Sequence, residues 1–479
     1  MPCQALPSSC NRNHLNGMPV KTQRYTIWKN ATILSMDSSV GDFWSGDLLI
    51  CGDKIAAVGA SLEAPPGATI VDGTGKILIP GIVNCHMHTW QTGLRGLAAN
   101  WTLFEYFKWT HRGLAKAYLP EDIEIATLAG ALGQINSGTT TLGDWCHNNP
   151  TPAHTDAAVQ GLRESGIRAV FLHGSPKPDP RPGEPHFSEV PHPRAEIERL
   201  LAGPLGQPDE LVTLGMAILG PHYSTLEVSL ADFKLAKEHG IIASMHSGGG
   251  EPKAPGGWDI LAREGLIGPK SNIVHGNDFT DDQLARFVSV GATFTVAPEN
   301  EMTQGHGWPI TGRVLKAGGT PSFGVDIESL VSSDMFAVAR MAIGCQRALD
   351  NADFRRQTGG ILETSSVTTK QALEWITMGG ARALGLDGKV GSLTPGKQAD
   401  IVSIDTRAWN LHPVHDPYST VIMQCNSGNV DTVMIAGKIL KQGGRMKRSD
   451  TQNVWDRLAQ SGARIVAELN ISTQVPPKK

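Results

Sequence analysis

The sequence predicts an α/β fold: a (β/α)8 barrel carrying a small composite β-sandwich domain built from both chain ends. Three observations lead there. From Gly81 to about Leu386, short β-branched runs alternate with amphipathic segments of helix length, the pattern of repeated strand–helix units on a parallel sheet. Eight such runs can be counted, the number that closes a barrel. The two flanking stretches break this rhythm and are each too short to build a core alone.

In chain order the runs are Ile77 to His88, Thr139 to Trp145, Ile167 to His173, Leu211 to His222, Ile241 to His246, Asn272 to His275, Ala292 to Ala297 and Pro321 to Asp326. Pro120 to Asn136, Thr225 to Glu238, Thr280 to Val290 and Asp334 to Asp350 supply helices between them. Residues 77–386 thus form the expected barrel domain. Residues 25–76 and 387–450 read as short strands and turns, expected to pair as one composite β-sandwich. A loose N-terminal tail is expected at 1–24 and a C-terminal helix and tail at 451–479. The Pro- and Gly-rich stretch from Gly174 to Pro208 is a long excursion after the third strand, either a lid or a solvated loop.

Composition narrows the function classes. The 479 residues are 40% hydrophobic and 18% charged, enough to bury a large core. With 42 basic against 46 acidic side chains and no Lys/Arg run, nucleic acid is not an expected partner. No apolar stretch approaches the ~20 residues of a membrane helix, and the first residues lack a secretory n- and h-region. The seven cysteines, Cys3, Cys10, Cys51, Cys85, Cys146, Cys345 and Cys425, include no C-x-x-C pair. A soluble protein of the reducing cytoplasm is expected.

In a barrel, reactive side chains stand at the C-terminal ends of strands. The residue repeated there is histidine: His86-Met87-His88, His173, His222, His246 and His275, with Asp326 ending the eighth run. A strand places i and i+2 on one face, so His86 and His88 point together into the mouth. With His246 and Asp326 they offer three imidazoles and a carboxylate, a shell suited to Zn²⁺ or Fe²⁺ with a position left for water. Trp90 and Gln91, in an aromatic-rich segment that includes Trp101, Phe104, Tyr106, Phe107 and Trp109, suggest a wall for a planar substrate. Arg95 is a candidate anchor for an anionic group, or equally a partner of a nearby carboxylate. Glu301 and His306, on the segment after the seventh run, are candidates to bind substrate or relay a proton, and His222 is a further substrate-binding candidate. Cys85 falls on the opposite strand face from His86 and is expected to pack.

Pro80-Gly81-Ile82-Val83-Asn84-Cys85-His86-Met87-His88 resembles the first-strand motif of the amidohydrolase superfamily. Arg95-Gly96, Ser137-Gly138-Thr139-Thr140-Thr141 and Val274-His275-Gly276 are similar to its chlorohydrolase and cytosine-deaminase-like branch, the ATZ/TRZ group. Gly380-Ala381-Arg382-Ala383-Leu384-Gly385, then Gly391-Ser392-Leu393-Thr394-Pro395-Gly396-Lys397-Gln398-Ala399-Asp400, is similar to that group's return into the terminal β-domain. The resemblance implies one divalent metal ion, zinc or alternatively iron, held by His86, His88, His246 and Asp326. No lysine lies in Leu211 to His222 to bridge a second ion. Such a cation lowers the pKa of water toward neutrality, and Asp326 and His275 accept the proton as an sp² carbon is attacked. The resemblance also implies a dimer or tetramer.

The expected reaction is hydrolysis of a C–N bond in a small cyclic or aromatic nitrogenous compound. One departure opens an alternative. Deaminases of the group carry Glu three residues after the fifth-strand His, whereas this chain reads His246-Ser247-Gly248-Gly249-Gly250-Glu251. With Gly249 at that position, the same metal barrel could instead run a lyase, C–C hydrolysis or lactone-opening reaction. Glu251 and Glu301 are the candidates to replace the missing carboxylate. A silent scaffold is a third reading, opposed by the presence of all four ligands.

Overall fold

The computed structural model describes residues 24–203, 205–207 and 209–469. Cys3, Cys10, most of the expected N-terminal tail and residues 470–479 lie outside the described residues.

Eight parallel strands pair in chain order: Ile82–Met87, Thr139–Cys146, Arg168–Gly174, Val212–Ile218, Ala243–Ser247, Ser271–His275, Thr293–Val296 and Ser322–Phe323. The circle closes through Asp326, whose amide donates to His86 O at 2.9 Å while its carbonyl accepts from His88 N at 2.8 Å. Buried β-branched and aromatic side chains such as Val83, Phe171, Ile218, Ile273 and Phe294 hold the strands between the barrel interior and the surrounding helices. Expected helices form where their caps allow. Pro120–Asn136 begins with proline at its first position, and Asp122 accepts from the Leu119 amide at 2.7 Å. Asp281–Ser289 is opened by a reciprocal Thr280–Gln283 capping box.

The two chain ends meet in one nine-stranded sheet. Tyr25–Ile33, Phe43–Cys51, Lys54–Gly59 and Thr69–Asp72 come from the first end, and Ile401–Asp405, Val430–Ile435, Lys438–Gln442 and Arg445–Met446 from the second. Trp28, Ile33, Leu48 and Ile50 share a buried cluster with Leu393, Ala399, Ile401 and Met434, so neither end is complete without the other. Lys76–Pro80 is the joint: it pairs with Tyr25–Ile33 on one side and Ile401–Asp405 on the other. The run read as Ile77 to His88 therefore splits at Gly81 into a strand of each domain, and the expected boundary at residue 77 falls inside a sheet strand. Arg168 on the third barrel strand locks the domains together. Its Nε and Nη2 donate to the two oxygens of Asp400 at 2.8 and 3.0 Å, with both side chains buried.

Two local readings change. The fourth strand stops at Ile218, and His222 lies on the short helix Gly220–Tyr223. The excursion after the third strand is not structureless; it holds a 3-10 turn at Phe187–Glu189 and the helix Arg194–Ala202. The C-terminal helix Thr451–Ala467 packs Val454 and Leu458 against Ile125, Leu128 and Ala129. Cys85 packs as expected: it is fully buried, and burial pushes its thiol up to about 12. Among the described residues no helix is long and apolar enough to cross a membrane.

Candidate metal centre and active site

His86 and His88 enter the mouth from the first strand, His246 from the fifth, His275 from the end of the sixth, and Asp326 just beyond the eighth. Their polar atoms converge. Asp326 Oδ1 lies 3.2 Å from His86 Nε2 and 3.3 Å from His88 Nε2. His246 Nε2 is 3.1 Å from His86 Nε2, and His275 Nε2 is 3.7 Å from Asp326 Oδ2. One ligand atom from each of His86, His246, His275 and Asp326 falls within 4.8 Å of every other.

The electrostatics of this cluster suit a cation. Burial lowers His86 to about 4 and His246 well below its ordinary value, so both rings present lone pairs. Burial acting alone would raise Asp326, but the His86 and His88 rings beside its oxygen outweigh it and hold the carboxylate well below its usual range. His88 Nδ1 lies 2.6 Å from the Trp145 carbonyl oxygen. A proton on Nδ1 completes that bond and leaves Nε2 free as a ligand. The His86 and His246 Nε2 atoms face each other at 3.1 Å, where either one ring donates to the other or a bound cation takes both lone pairs. Nitrogen and carboxylate donors of this kind fit Zn²⁺ or Fe²⁺.

His275 and Asp326 also carry backbone strain, with φ of 68° and 70°. Non-glycine residues adopt this conformation at a cost, and at two facing side chains it turns both toward one point. His275 is held from behind by Glu301, whose Oε1 lies 3.1 Å from His275 Nδ1. Burial opposes charging of His275, but the Glu301 hydrogen bond and the nearby carboxylates prevail and raise its pKa. Glu301 itself is fully buried, accepting from the Ala297 amide at 2.8 Å and from Asn277 Nδ2 at 3.3 Å.

Several expected substrate contacts lie elsewhere. Glu301 supports His275 and does not line the cavity, because its oxygens are consumed by the groups just named. Trp90 is fully buried beneath the mouth, where Nε1 donates to His147 Nδ1 at 3.1 Å. Gln91 donates to Tyr106 OH at 2.6 Å and accepts from Ser329, a framework role. Arg95 pairs with buried Glu328 at 2.9 Å in a separate surface groove, the second of the two readings its sequence left open. His222 is buried behind the cavity lining, near the Gly248 amide. His306 lines the cavity, its ring 4.3 Å from that of His275, and neither of its buried nitrogens has a partner among the described residues.

The rest of the lining was missed or named only in passing. Tyr106 and Phe107, from the aromatic segment, form part of the wall with Leu103 and Tyr223, whereas Phe104 is exposed. His111 and His147 line it too, their Nε2 atoms 3.1 Å apart. His147 directly follows the second strand, a position that would have flagged it. Asn300 donates to Asp326 Oδ2 from the helix after the seventh strand. Lys177 reaches the cavity from the excursion, three residues beyond the third strand. Gly249, where the deaminase Glu is missing, has φ of 89°, and a Cβ there would meet Leu103 Cδ2 at 2.8 Å. A side chain there would have to displace the end of Leu103, and Glu251 is exposed on the following loop.

The amidohydrolase family model matches residues 77–440. The chain belongs to the amidohydrolase family. It is accordingly an enzyme of the hydrolase type. Among curated relatives, the 5'-deoxyadenosine deaminase of Methanothermobacter thermautotrophicus is 27% identical over 433 residues, covering 88% of this chain and 95% of the relative. The 8-oxoguanine deaminase of Pseudomonas aeruginosa is 28% identical over 407 residues, covering 81% and 87%. A triazine hydrolase variant shares the fold with a TM-score of 0.80 at 21% identity, covering 92% of this chain and 99% of that one. An adenosine deaminase from Xanthomonas campestris with bound zinc does so at a TM-score of 0.77 and 21% identity, covering 92% and 98%.

Proposed function

We propose that this amidohydrolase-family protein is a mononuclear metal-dependent hydrolase that cleaves a C–N bond of a small, planar nitrogenous compound. The observation that carries the reading is the convergence of His86, His88, His246 and Asp326 at the barrel mouth, with His275 beside them and backed by Glu301. The four ligands would hold one divalent cation, and we assign zinc, with iron as the alternative the same donors accept. When bound, the cation activates water and polarises the scissile carbon.

The chain's own groups handle the proton. With Nδ1–H directed to Glu301, His275 Nε2 faces the cavity as a base and takes a proton from the attacking water. Glu301 stabilises the imidazolium, which then returns the proton to the leaving nitrogen. His306 offers a second neutral imidazole to substrate, since burial lowers it to about 3. The deaminase names of the full-length relatives support C–N hydrolysis, and a lyase or lactone-opening reaction is not favoured. Ammonia release tests the reading: metal-loaded protein is screened against amino- and imino-substituted heteroaromatic compounds with a coupled assay. Release that is lost in His275→Ala is expected. A panel without any release would overturn C–N hydrolysis on this compound class.

A further inference from the structure

One charged side chain in the cavity has no part in the chemistry just described. Lys177 lines the same cavity as His246, His275 and Asp326, and only 8% of its surface is exposed. Its Nζ lies 4.7 Å above the Tyr223 ring, 5.7 Å from that of Phe107 and 5.9 Å from that of Trp145. Aromatic faces offset part of the cost of burying an ammonium, but not all of it. Among the described residues no carboxylate compensates the rest, and burial brings the ammonium down to about 8.

The placement is built rather than incidental. Pro176 and Pro178 flank Lys177 and restrict the backbone on both sides. Tyr223, the nearest ring, is fixed by donation of its hydroxyl to Gly248 O at 2.7 Å. Asp326, the one carboxylate lining the cavity among the described residues, is engaged by His86 and His88 and cannot also serve Lys177. Among the described residues, the cavity thus carries a positive charge without a free counter-charge in its walls. That charge is a single ammonium, and among the described residues no guanidinium lines the cavity to make the fork that grips a phosphate. A lone point charge between ring faces suits a monoanionic group attached to a flat ring.

We propose that Lys177 is the anion-recognising residue of this site, and that the substrate is a planar nitrogenous compound bearing a carboxylate. This rests on the hydrolase reading above and names its substrate class. The ammonium receives the carboxylate while Phe107 and Tyr223 lie along the ring. A carboxylated compound therefore binds with its ring fixed, and a neutral analogue lacks that hold.

Calorimetric titration of the metal-loaded full-length protein with benzoate and with benzyl alcohol, its neutral analogue of similar shape, tests the assignment. Metal per chain is determined on the same samples. Wild type is expected to bind benzoate about tenfold tighter than benzyl alcohol. Lys177→Met and Lys177→Gln are expected to abolish that preference while leaving benzyl alcohol affinity and metal content unchanged, and Lys177→Arg to keep most of it. Because each neutral variant removes a buried charge without a counter-charge, neither is expected to melt below wild type. Equal binding of the two compounds by wild type, undetectable benzoate binding, or a preference that survives in both neutral variants would overturn the proposal. Wild type without metal, yet with a benzoate preference lost in Lys177→Met, would instead overturn the hydrolase reading and leave anion recognition standing.

Discussion

The amide of Asp326 donates to the carbonyl of His86 at 2.9 Å, and the side chains of the same two residues meet at 3.2 Å. Barrel closure and the ligand cluster are therefore a single structure. Anything that parts the first and eighth strands disperses the ligands, and a ligand bound there holds the strands together.

Gly324 allows that approach, since a Cβ at this position would lie 2.5 Å from the His86 carbonyl oxygen. Gly324→Ala is expected to cost ~1–3 kcal/mol through overpacking and to reduce bound metal as His86 is displaced. Thermal denaturation and metal analysis check both effects. Wild-type values for both would contradict the coupling.

In the proposed mechanism Glu301, 3.1 Å from His275 Nδ1, acts through His275 rather than on substrate. Glu301→Gln keeps the size of the side chain but removes the charge that stabilises the imidazolium, and is expected to lower kcat by about 10–100-fold. KM and metal content should stay near wild type. The check is steady-state kinetics on the first compound found to release ammonia, with an unchanged kcat contradicting the role.

Most of the architecture was legible because strand–helix alternation and the residues that end the strands are local signals. His86, His88, His246, His275 and Asp326 were all readable from where the runs stop, and the structure brings them together. The misplaced contacts share one cause: which side chains near the mouth actually face it is decided by tertiary packing. Trp90 and Gln91 follow the H-x-H closely in sequence, yet the 3-10 turn Thr89–Leu94 directs both into the framework. Lys177 was hidden in a Pro-rich excursion that has no periodicity to show which side chain turns inward. The split at Gly81 leaves no mark in the sequence because one apolar run serves strands in two domains.

Gly249 accounts for the missing deaminase glutamate in steric terms. Gly249→Glu is expected to cost ~1–3 kcal/mol from its backbone conformation alone and to gain no ammonia-releasing activity, because the left-handed backbone and the Leu103 methyl both oppose its side chain. Melting curves and the coupled assay decide it. A faster variant would show that a glutamate can fit and function there.

Asp400 explains why the Ala399-Asp400 pair belongs to the chain's return. It accepts both Arg168 bonds and, through Oδ1, the Ala436 amide at 2.8 Å. Asp400→Asn leaves the Arg168 guanidinium buried without its counter-charge and is expected to destabilise the protein by ~3–5 kcal/mol. Denaturant unfolding measures this. A loss below ~1 kcal/mol, the level of an exposed pair, would contradict a structural lock between the domains.

The central claim is a single cation held by His86, His88, His246 and Asp326. Elemental analysis of protein purified without added metal or chelator, with His246→Ala in parallel, tests it most directly. The account predicts about one zinc or iron per wild-type chain and a variant that is folded, nearly metal-free and inactive. A wild type near zero that takes up none of an added ~1 equivalent of zinc or iron, or a His246→Ala variant that keeps wild-type metal content, would contradict it.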